Sequence, residues 1–249
     1  MKKNPVFERL ALLTGEEGLE KLAQTRVLIF GLGGVGSWAA EALARSGIGK
    51  IVIIDFDTVC ASNINRQAQA TTLTIGQPKA ETLKNRLLEI NPDCEIIPRN
   101  ELFSRENADS FGIENADYVI DAIDSVNNKL DLIETVCKAE VTLFSSMGMA
   151  LKLDPSRIKT ASIWDTHGCP LARLVRQGLR KRGFSSDFTA VYSEEHLPRA
   201  GQEPSQPATE PLPPVSAPRK QANGSVVTVT ASAGFLLASL VLRDALKAL

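Results

Sequence analysis

Residues 26–38 (RVLIFGLGGVGSW) constrain the fold more than any other stretch of the chain. The apolar run 27–30 is too short for a buried helix and is followed at once by glycine, which predicts a strand buried on both faces. Four glycines and a helix-like segment, 37–45, come next. Glycines let a backbone approach an anion closely, and the free N–H groups of a first helical turn can hold that anion. The stretch therefore predicts a nucleotide-phosphate site, although the glycine pattern alone also fits the dinucleotide site of a dehydrogenase.

The composition restricts the classes of partner and site. The 249-residue chain has 43% hydrophobic and 23% charged residues and a formal net charge of -1. This balance gives no global electrostatic case for a nucleic-acid partner, so such a contact would need a local basic patch. The four cysteines form no CxxC pair, which disfavours a structural zinc site, and the first residues lack the apolar run of a signal peptide. We therefore expect a cytoplasmic protein with free thiols.

Strand and helix patterns alternate up to about residue 150. Strands are predicted at 27–30, 50–54, 94–98, 118–120 and 141–144, and helices at 4–23 with a break near 14–15, 37–45, 78–90 and 129–138. This alternation predicts an α/β fold with a doubly wound, Rossmann-like, mostly parallel sheet. The pattern then changes to a C-terminal extension with strands at 157–164 and 188–192 and helices at 171–182 and 225–242. We expect one domain, 1–249, with a nucleotide-binding half (1–150) and a substrate and dimer half (151–249).

Two segments of the second half stand out by composition. Residues 197–220 contain seven prolines and almost no large apolar residue, which predicts a mobile loop. Residues 225–242 carry no charge but are short for a membrane span and include several serines and threonines. We interpret them as a buried core helix, with a membrane span as the minority interpretation and no stable membrane association expected.

Charged residues follow the strand ends. Asp55 ends the second strand, where a dinucleotide fold places the acid that binds ribose, and Asp121 and Asp124 follow the fourth strand in the motif DAID. Because ligands of open α/β sheets bind at the carboxyl ends of strands, these acids and the glycine turn should share one cleft. Arg66 and Lys79 are cations that can neutralise a triphosphate, and an aspartate there can hold Mg²⁺. These residue types favour phosphate chemistry over hydride transfer.

Four motifs in order, GxGGxGS, DxDxVxxSNxNRQ, GQPK and DxxD, resemble the ubiquitin-activating-like adenylating enzymes, which include the activators of molybdopterin and thiamin sulfur carriers. The resemblance covers about residues 7–150 and implies a ubiquitin-activating-like fold that uses ATP and Mg²⁺. It implies that the nucleotide is faced by Gly31, Gly33, Gly34 and Gly36, with Asp55 on the ribose and Asn63, Arg66, Gln67 and Lys79 on the phosphates. It also implies catalytic roles for Arg66, Lys79, Asp124 and Arg9, with Asp124 holding Mg²⁺ and Arg9 reaching into the partner's ATP site of a homodimer.

Finer matches, among them DTVCASNINRQ and VIDAIDSV, are similar to the members of this family that cyclise N6-threonylcarbamoyladenosine beside the tRNA anticodon. This implies adenylation of the modification's carboxylate and ring closure with net loss of water. It implies tRNA as a partner and, for some members, a sulfur-relay cysteine desulfurase system. The alternative within the family is adenylation of the C-terminal carboxylate of a ubiquitin-like sulfur carrier. An NAD-dependent dehydrogenase and a nucleotide sensor without turnover are the competing classes.

The predicted helix 171–182 is the one local concentration of positive charge that we single out. It carries Arg173, Arg176, Arg180, Lys181 and Arg182 in a chain that is otherwise near neutral. Phosphate contacts by such a patch would give affinity for tRNA without reading its sequence. A solvated helix face explains the same pattern equally well.

Overall fold

The computed structural model describes residues 5–198 and 223–247, and the predicted Pro-rich loop lies almost wholly outside them. The strands are β1 (Arg26–Phe30), β2 (Lys50–Ile54), β3 (Glu95–Arg99), β4 (Tyr118–Asp121), β5 (Thr142–Ser146), β6 (Ile158–Ser162) and β7 (Thr189–Ser193). The helices are α1 (Glu8–Gln24), α2 (Gly36–Arg45), α3 (Lys79–Ile90), α4 (Val126–Lys138), α5 (Pro170–Lys181) and α6 (Val227–Ala245). Short 3-10 turns connect several of them.

All seven strands form one sheet in the order β3-β2-β1-β4-β5-β7-β6. Every neighbouring pair is parallel except β6 and β7. The chain moves outward from β1 in one direction and from β4 in the other, so the strand order reverses between these two neighbours. This topology confirms the predicted doubly wound α/β fold, and the reversal creates a ligand crevice at the carboxyl ends of β1 and β4.

The core has two apolar layers because the central strands are buried on both faces. Ile29 and Ile53 pack with α2, α3 and α6 on one face, and Leu28 and Val52 pack with α4 and α5 on the other. Continuous apolar runs such as KIVII are therefore what a parallel sheet covered on both sides requires. The second half of the chain adds β6 and β7 to this same sheet.

Helix α6 is long and apolar enough to cross a membrane, and it is the one such helix among the described residues. It nevertheless packs inside the protein, with Val229, Ala233 and Leu237 fully buried. Gly234 allows close contact with α2, because a side-chain carbon there would lie 2.5 Å from the carbonyl oxygen of Val35. These contacts are those of a core helix.

Helix α1 lies at the amino edge of the sheet, opposite the crevice. The ring of Phe7, just before α1, lies against Gly47 in the turn that precedes β2. The helix kinks at Gly15, whose φ of 73° and ψ of 172° are non-helical, at the predicted break. The predicted strand 157–164 is shorter than expected, since Ile163–Asp165 forms a 3-10 turn capped by the Ser162 hydroxyl.

Candidate active site

The glycine turn after β1 is shaped by close backbone contacts. Gly31 has a φ of +88°, and a side-chain carbon there would lie 2.7 Å from the carbonyl oxygen of Ala122. At Gly36 such a carbon would lie 1.9 Å from the carbonyl oxygen of Gly31. Both positions therefore need glycine for the turn itself, whatever ligand it holds. Gly33 has open space on its side-chain side, so it gives a ligand the closest access to the backbone.

The start of α2 offers free hydrogen-bond donors. The amides of Gly33, Gly34 and Val35 donate to no backbone acceptor in the described part of the chain, and Val35 provides no side-chain cap. No acidic residue occupies the first turn of α2. Uncapped amides at the positive end of a helix form a site for an anion such as a phosphate.

Asp55 connects the end of β2 to this turn. Its Oδ2 accepts a hydrogen bond of 2.6 Å from the amide of Leu32, and its Oδ1 accepts one of 2.9 Å from the amide of Asp57. Burial raises the pKa of Asp55, against the opposing effect of the Lys79 ammonium 3.9 Å away. Asp55 thus braces the glycine turn, and its contact with a ribose hydroxyl stays a prediction.

Lys79 is the first residue of α3 and is almost fully buried. Its Nζ lies 2.7 Å from Oδ2 of Asp57, and its amide donates to the Asp57 carbonyl at 3.0 Å. An isolated bridge between Thr58 and Pro78 holds the two segments together. Lys79 is therefore fixed beside Asp55 by a carboxylate, Asp57, to which the sequence analysis assigned no role.

Arg66 reaches the glycine turn from the loop after β2. A side-chain carbon at Gly34 would lie 3.1 Å from Cγ of Arg66 and 3.0 Å from Oγ1 of Thr230 in α6. The Arg66 guanidinium donates to the Ser62 carbonyl at 2.9 Å. The backbone carbonyl of Arg66 accepts from the indole nitrogen of Trp38 at 2.9 Å. Because this arginine is anchored on both sides, its position beside the free amides is well defined.

Asn63 and Gln67 flank Arg66 in the same loop. The Asn63 Oδ1 accepts from the amide of Cys60 at 3.0 Å, and the Asn63 carbonyl accepts from the amides of Arg66 and Gln67. Asn63 therefore shapes the loop. Its predicted phosphate contact would use the side-chain nitrogen, Nδ2, because Oδ1 already accepts a hydrogen bond. Gln67 is buried, and its Oε1 has no hydrogen-bond partner among the described residues.

The two acids of the DxxD motif have different environments. Asp121 is fully buried, and its Oδ2 accepts hydrogen bonds of 2.6 Å from both Lys129 Nζ and Ser145 Oγ. Its Oδ1 accepts from the amide of Ile123 at 3.0 Å. Asp124 is exposed in the loop that leaves β4 at the crevice. Asp121 is therefore enclosed inside the protein, whereas Asp124 is exposed at the crevice.

The described residues contain no group of three or more His, Cys, Asp or Glu side chains that could hold a metal ion. A Mg²⁺ ion at Asp124 would therefore take its remaining ligands from water and from phosphate oxygens, as this ion commonly does. The chemistry of one exposed carboxylate beside a phosphate cradle fits such binding.

Two further polar residues support the glycine turn, although the sequence analysis gave them no role. Gln69 is buried, and its side-chain Nε2 donates to the backbone carbonyl of Leu32 at 2.9 Å. This hydrogen bond supports the glycine turn. The Ser37 hydroxyl donates to the Gly33 carbonyl at 2.7 Å and accepts from the amide of Ala68. Ser37 belongs to the motif GxGGxGS and to helix α2, whereas Gln69 lies in a loop outside the four motifs, where no local pattern distinguishes it from a surface side chain.

Arg9 is not part of the crevice of its own chain. It is exposed in the first turn of α1, which packs at the amino edge of the sheet. An intramolecular role in nucleotide binding is thus excluded by position, and the predicted role in a partner's site requires a second copy.

The whole chain resembles known proteins as well. Residues 7–248 match the model of the ThiF family. The chain is 44% identical over 189 residues, 76% of its length and 74% of the relative's, to tRNA threonylcarbamoyladenosine dehydratase of Bacillus subtilis. It is 36% identical to the protein of that name from Haemophilus influenzae, covering 97% of this chain and 93% of the relative. The crystal structure of E. coli tRNA N6-threonylcarbamoyladenosine dehydratase in complex with ATP superposes with a TM-score of 0.84 at 33% identity, over 97% of this chain and 94% of that one.

Proposed function

Because this chain belongs to the ThiF family, we propose that it is an ATP-dependent tRNA threonylcarbamoyladenosine dehydratase that cyclises the modified nucleoside beside the anticodon. The observation that carries the proposal is the grouping of residues around the glycine turn. Arg66 contacts Gly34, Asp55 links Lys79 to the turn, and the loop of Asp124 packs on Gly31 through Ala122. Relatives of the same name that match most of the chain, and one solved with ATP, support this reading.

In the proposed first step the carboxylate of the threonylcarbamoyl group attacks the α-phosphorus of ATP. A carboxylate oxygen–phosphorus bond forms, the bond between the α-phosphorus and the bridging oxygen to the β-phosphate breaks, and pyrophosphate leaves. Arg66 and Lys79 neutralise the charge that develops on the phosphates, while the amides at the start of α2 hold phosphate oxygens. When bound, Mg²⁺ at Asp124 would supply further charge neutralisation.

In the proposed second step an oxygen or nitrogen of the same modification attacks the activated carbonyl carbon. The ring closes, the bond from that carbon to the AMP oxygen breaks, and one proton is lost, so the nucleoside loses one water overall. No enzyme nucleophile takes part. Two of the four thiols are poor nucleophiles, since burial raises the pKa of Cys94 to about 12 and that of Cys137 to about 11.

The direct test uses tRNA that carries N6-threonylcarbamoyladenosine, ATP and Mg²⁺, with nucleoside mass analysis. We expect a product lighter by one water and equimolar AMP. Arg66→Ala and Lys79→Ala should each lower kcat by about 10²-fold or more. Asp124→Asn should raise the Mg²⁺ concentration needed for half-maximal rate, whereas Asp109→Asn, at an exposed acid elsewhere, should behave like wild type.

The competing functions give different results in the same preparation. If only a small protein ending in Gly-Gly triggers exchange between ATP and pyrophosphate, the chain is a sulfur-carrier activator. Tight NADH binding without ATP binding would indicate a dehydrogenase. ATP binding without turnover of either substrate would indicate a sensor.

We further propose that the enzyme is a cytoplasmic homodimer in which each copy supplies Arg9 to the other's site, and that a cysteine desulfurase relay is a partner. The apolar side chains of Leu12 and Leu13 on α1 are 86% and 83% exposed, which suits a covered surface near Arg9. Mixing inactive Arg9→Ala and Arg66→Ala subunits tests the exchange. Heterodimers would have one complete site, so random assortment should restore roughly a quarter of wild-type activity. No recovery would exclude Arg9 acting across the dimer.

A further inference from the structure

Helix α5 presents a row of cations on its exposed face. Arg173, Arg176, Arg180 and Lys181 fall on one side of the helix by its 3.6-residue period, and we call them the α5 stripe. The opposite side is buried through Ala172, Val175 and Leu179. Since α5 contains no acidic residue, its outer face has a positive charge that the helix does not balance.

The cations of the α5 stripe are largely available. Arg173 and Lys181 are exposed and form no ion pair among the described residues. The guanidinium of Arg180 lies 5.5 Å from the ring centre of Trp164, and Arg176 donates to the hydroxyl of Thr166, so both keep their charge unpaired.

The two acids of α4 are already paired with cations outside the stripe. Asp131 and Glu134 of α4 pair with Arg182, at 2.7 and 2.9 Å, and also with Arg105. We therefore do not count Arg182 as part of the α5 stripe, and α4 has no further carboxylate that could pair with the cations of the stripe.

Contacts between α4 and α5 show where the stripe begins. Gly178 packs on Leu130, and Arg182 pairs with Glu134; both pairs are 48 positions apart, so the two helices run in the same direction with a fixed register. The same register places Arg173 level with Ser125, next to Asp124 and the crevice. From there the stripe extends about 12 Å down the flank of the protein, at 1.5 Å per residue.

We propose that the α5 stripe binds the sugar-phosphate backbone of the tRNA substrate next to the modified nucleotide. This inference rests on the proposed function. The chain has a net charge of -1, so attraction for a polyanion must come from a local surface, and this one starts at the level of the reacting carboxylate's site. Arginine and lysine contacts to phosphates position the strand without reading its bases, which leaves recognition of the modified base to the crevice.

The test compares Arg173→Gln/Lys181→Gln with wild type and with Lys84→Gln, a cation on α3 at the other face of the sheet. The measurements are KM for modified tRNA, KM for ATP, and the dependence of tRNA binding on salt. We expect the double variant to raise KM for tRNA several-fold, to leave KM for ATP unchanged, and to reduce the slope of log K against log salt by about 1.5 to 2. Both side chains are exposed, so thermal unfolding should match that of wild type.

Other results would overturn the inference. If the double variant keeps the wild-type KM for tRNA and the wild-type salt dependence of tRNA binding, the α5 stripe is a solvated helix face. Loss of exchange driven by an acidic carrier protein, with tRNA binding unchanged, would make it a protein-docking surface. These results differ from failure of the proposed function, in which the wild-type enzyme itself would not act on modified tRNA.

Discussion

Replacing Lys129 by methionine should destabilise the protein strongly. Lys129 and Asp121 are both 0% exposed, with Nζ 2.6 Å from Oδ2, and the other strong donor to that oxygen is the Ser145 hydroxyl. Methionine fills a similar volume but supplies no charge. Asp121 would then be a buried carboxylate without a cation, held only by the hydroxyl and one backbone amide.

The size of the effect follows from burial. Removing one partner of a buried ion pair costs about 3–5 kcal/mol, because the desolvated charge that remains is uncompensated. For a chain of this length, about 2 °C in Tm per kcal/mol predicts a fall of about 6–10 °C. The double variant Lys129→Met/Asp121→Leu should recover most of this loss, since replacing a whole buried pair by apolar groups is often close to neutral.

Urea and thermal unfolding at pH 7 would measure these changes. The matched control is Lys159→Met, which breaks a lysine–carboxylate pair of the same 2.6 Å length with Glu194 on the surface. Water solvates that pair, so we expect no measurable loss of stability. Equal losses of stability in Lys129→Met and Lys159→Met, or a double variant no more stable than Lys129→Met alone, would contradict this expectation.

Three further changes test the site. Gly36→Ala places a methyl group against a turn carbonyl and should cost about 1–3 kcal/mol with loss of ATP binding, while Gly33→Ala, where space is open, should unfold like wild type. Burial raises the pKa of Asp55 in the folded protein above its value in the unfolded chain. Its contribution to stability should therefore be lost as pH rises from the unfolded-state pKa through the folded-state pKa. Asp55→Asn cannot titrate and should therefore remove this contribution to the pH dependence of the melting temperature in thermal scans. Iodoacetamide at pH 8 should label exposed Cys60 well before Cys94, whose thiol is buried, as peptide mass analysis would show.

The order of strands and helices could be predicted because each element carries its own signal. The run KIVII and the amphipathic pattern of α3 are local, and the carboxyl-edge rule then places Asp55 and Asp124 at one crevice. The rest depends on contacts between distant residues. The division of labour between Asp121 and Asp124 arises from Lys129 and Ser145, which the motif does not include.

Other features of the site have no signal in their own neighbourhood. Gly34 is confined by Thr230, almost 200 positions further along the chain, and no spacing rule joins them. Asp57 is the second acid of the motif DxDxVxxSNxNRQ, but nothing beside it in the sequence shows that it holds Lys79, 22 positions further along the chain. The resemblance predicts that Arg9 acts in a partner's site, and its position at the amino edge of its own sheet follows from packing between distant residues.

The pairing of Lys79 with Asp57 has a consequence for turnover. An incoming triphosphate must displace the Asp57 carboxylate, which lies 2.7 Å from the Lys79 ammonium group. In the resting crevice, Lys79 should therefore add little to the attraction for small anions. Once pyrophosphate has formed, the same carboxylate competes to take the lysine back. We therefore expect orthophosphate to inhibit weakly and pyrophosphate to dissociate readily. In Asp57→Asn, pyrophosphate should dissociate more slowly and inhibit turnover.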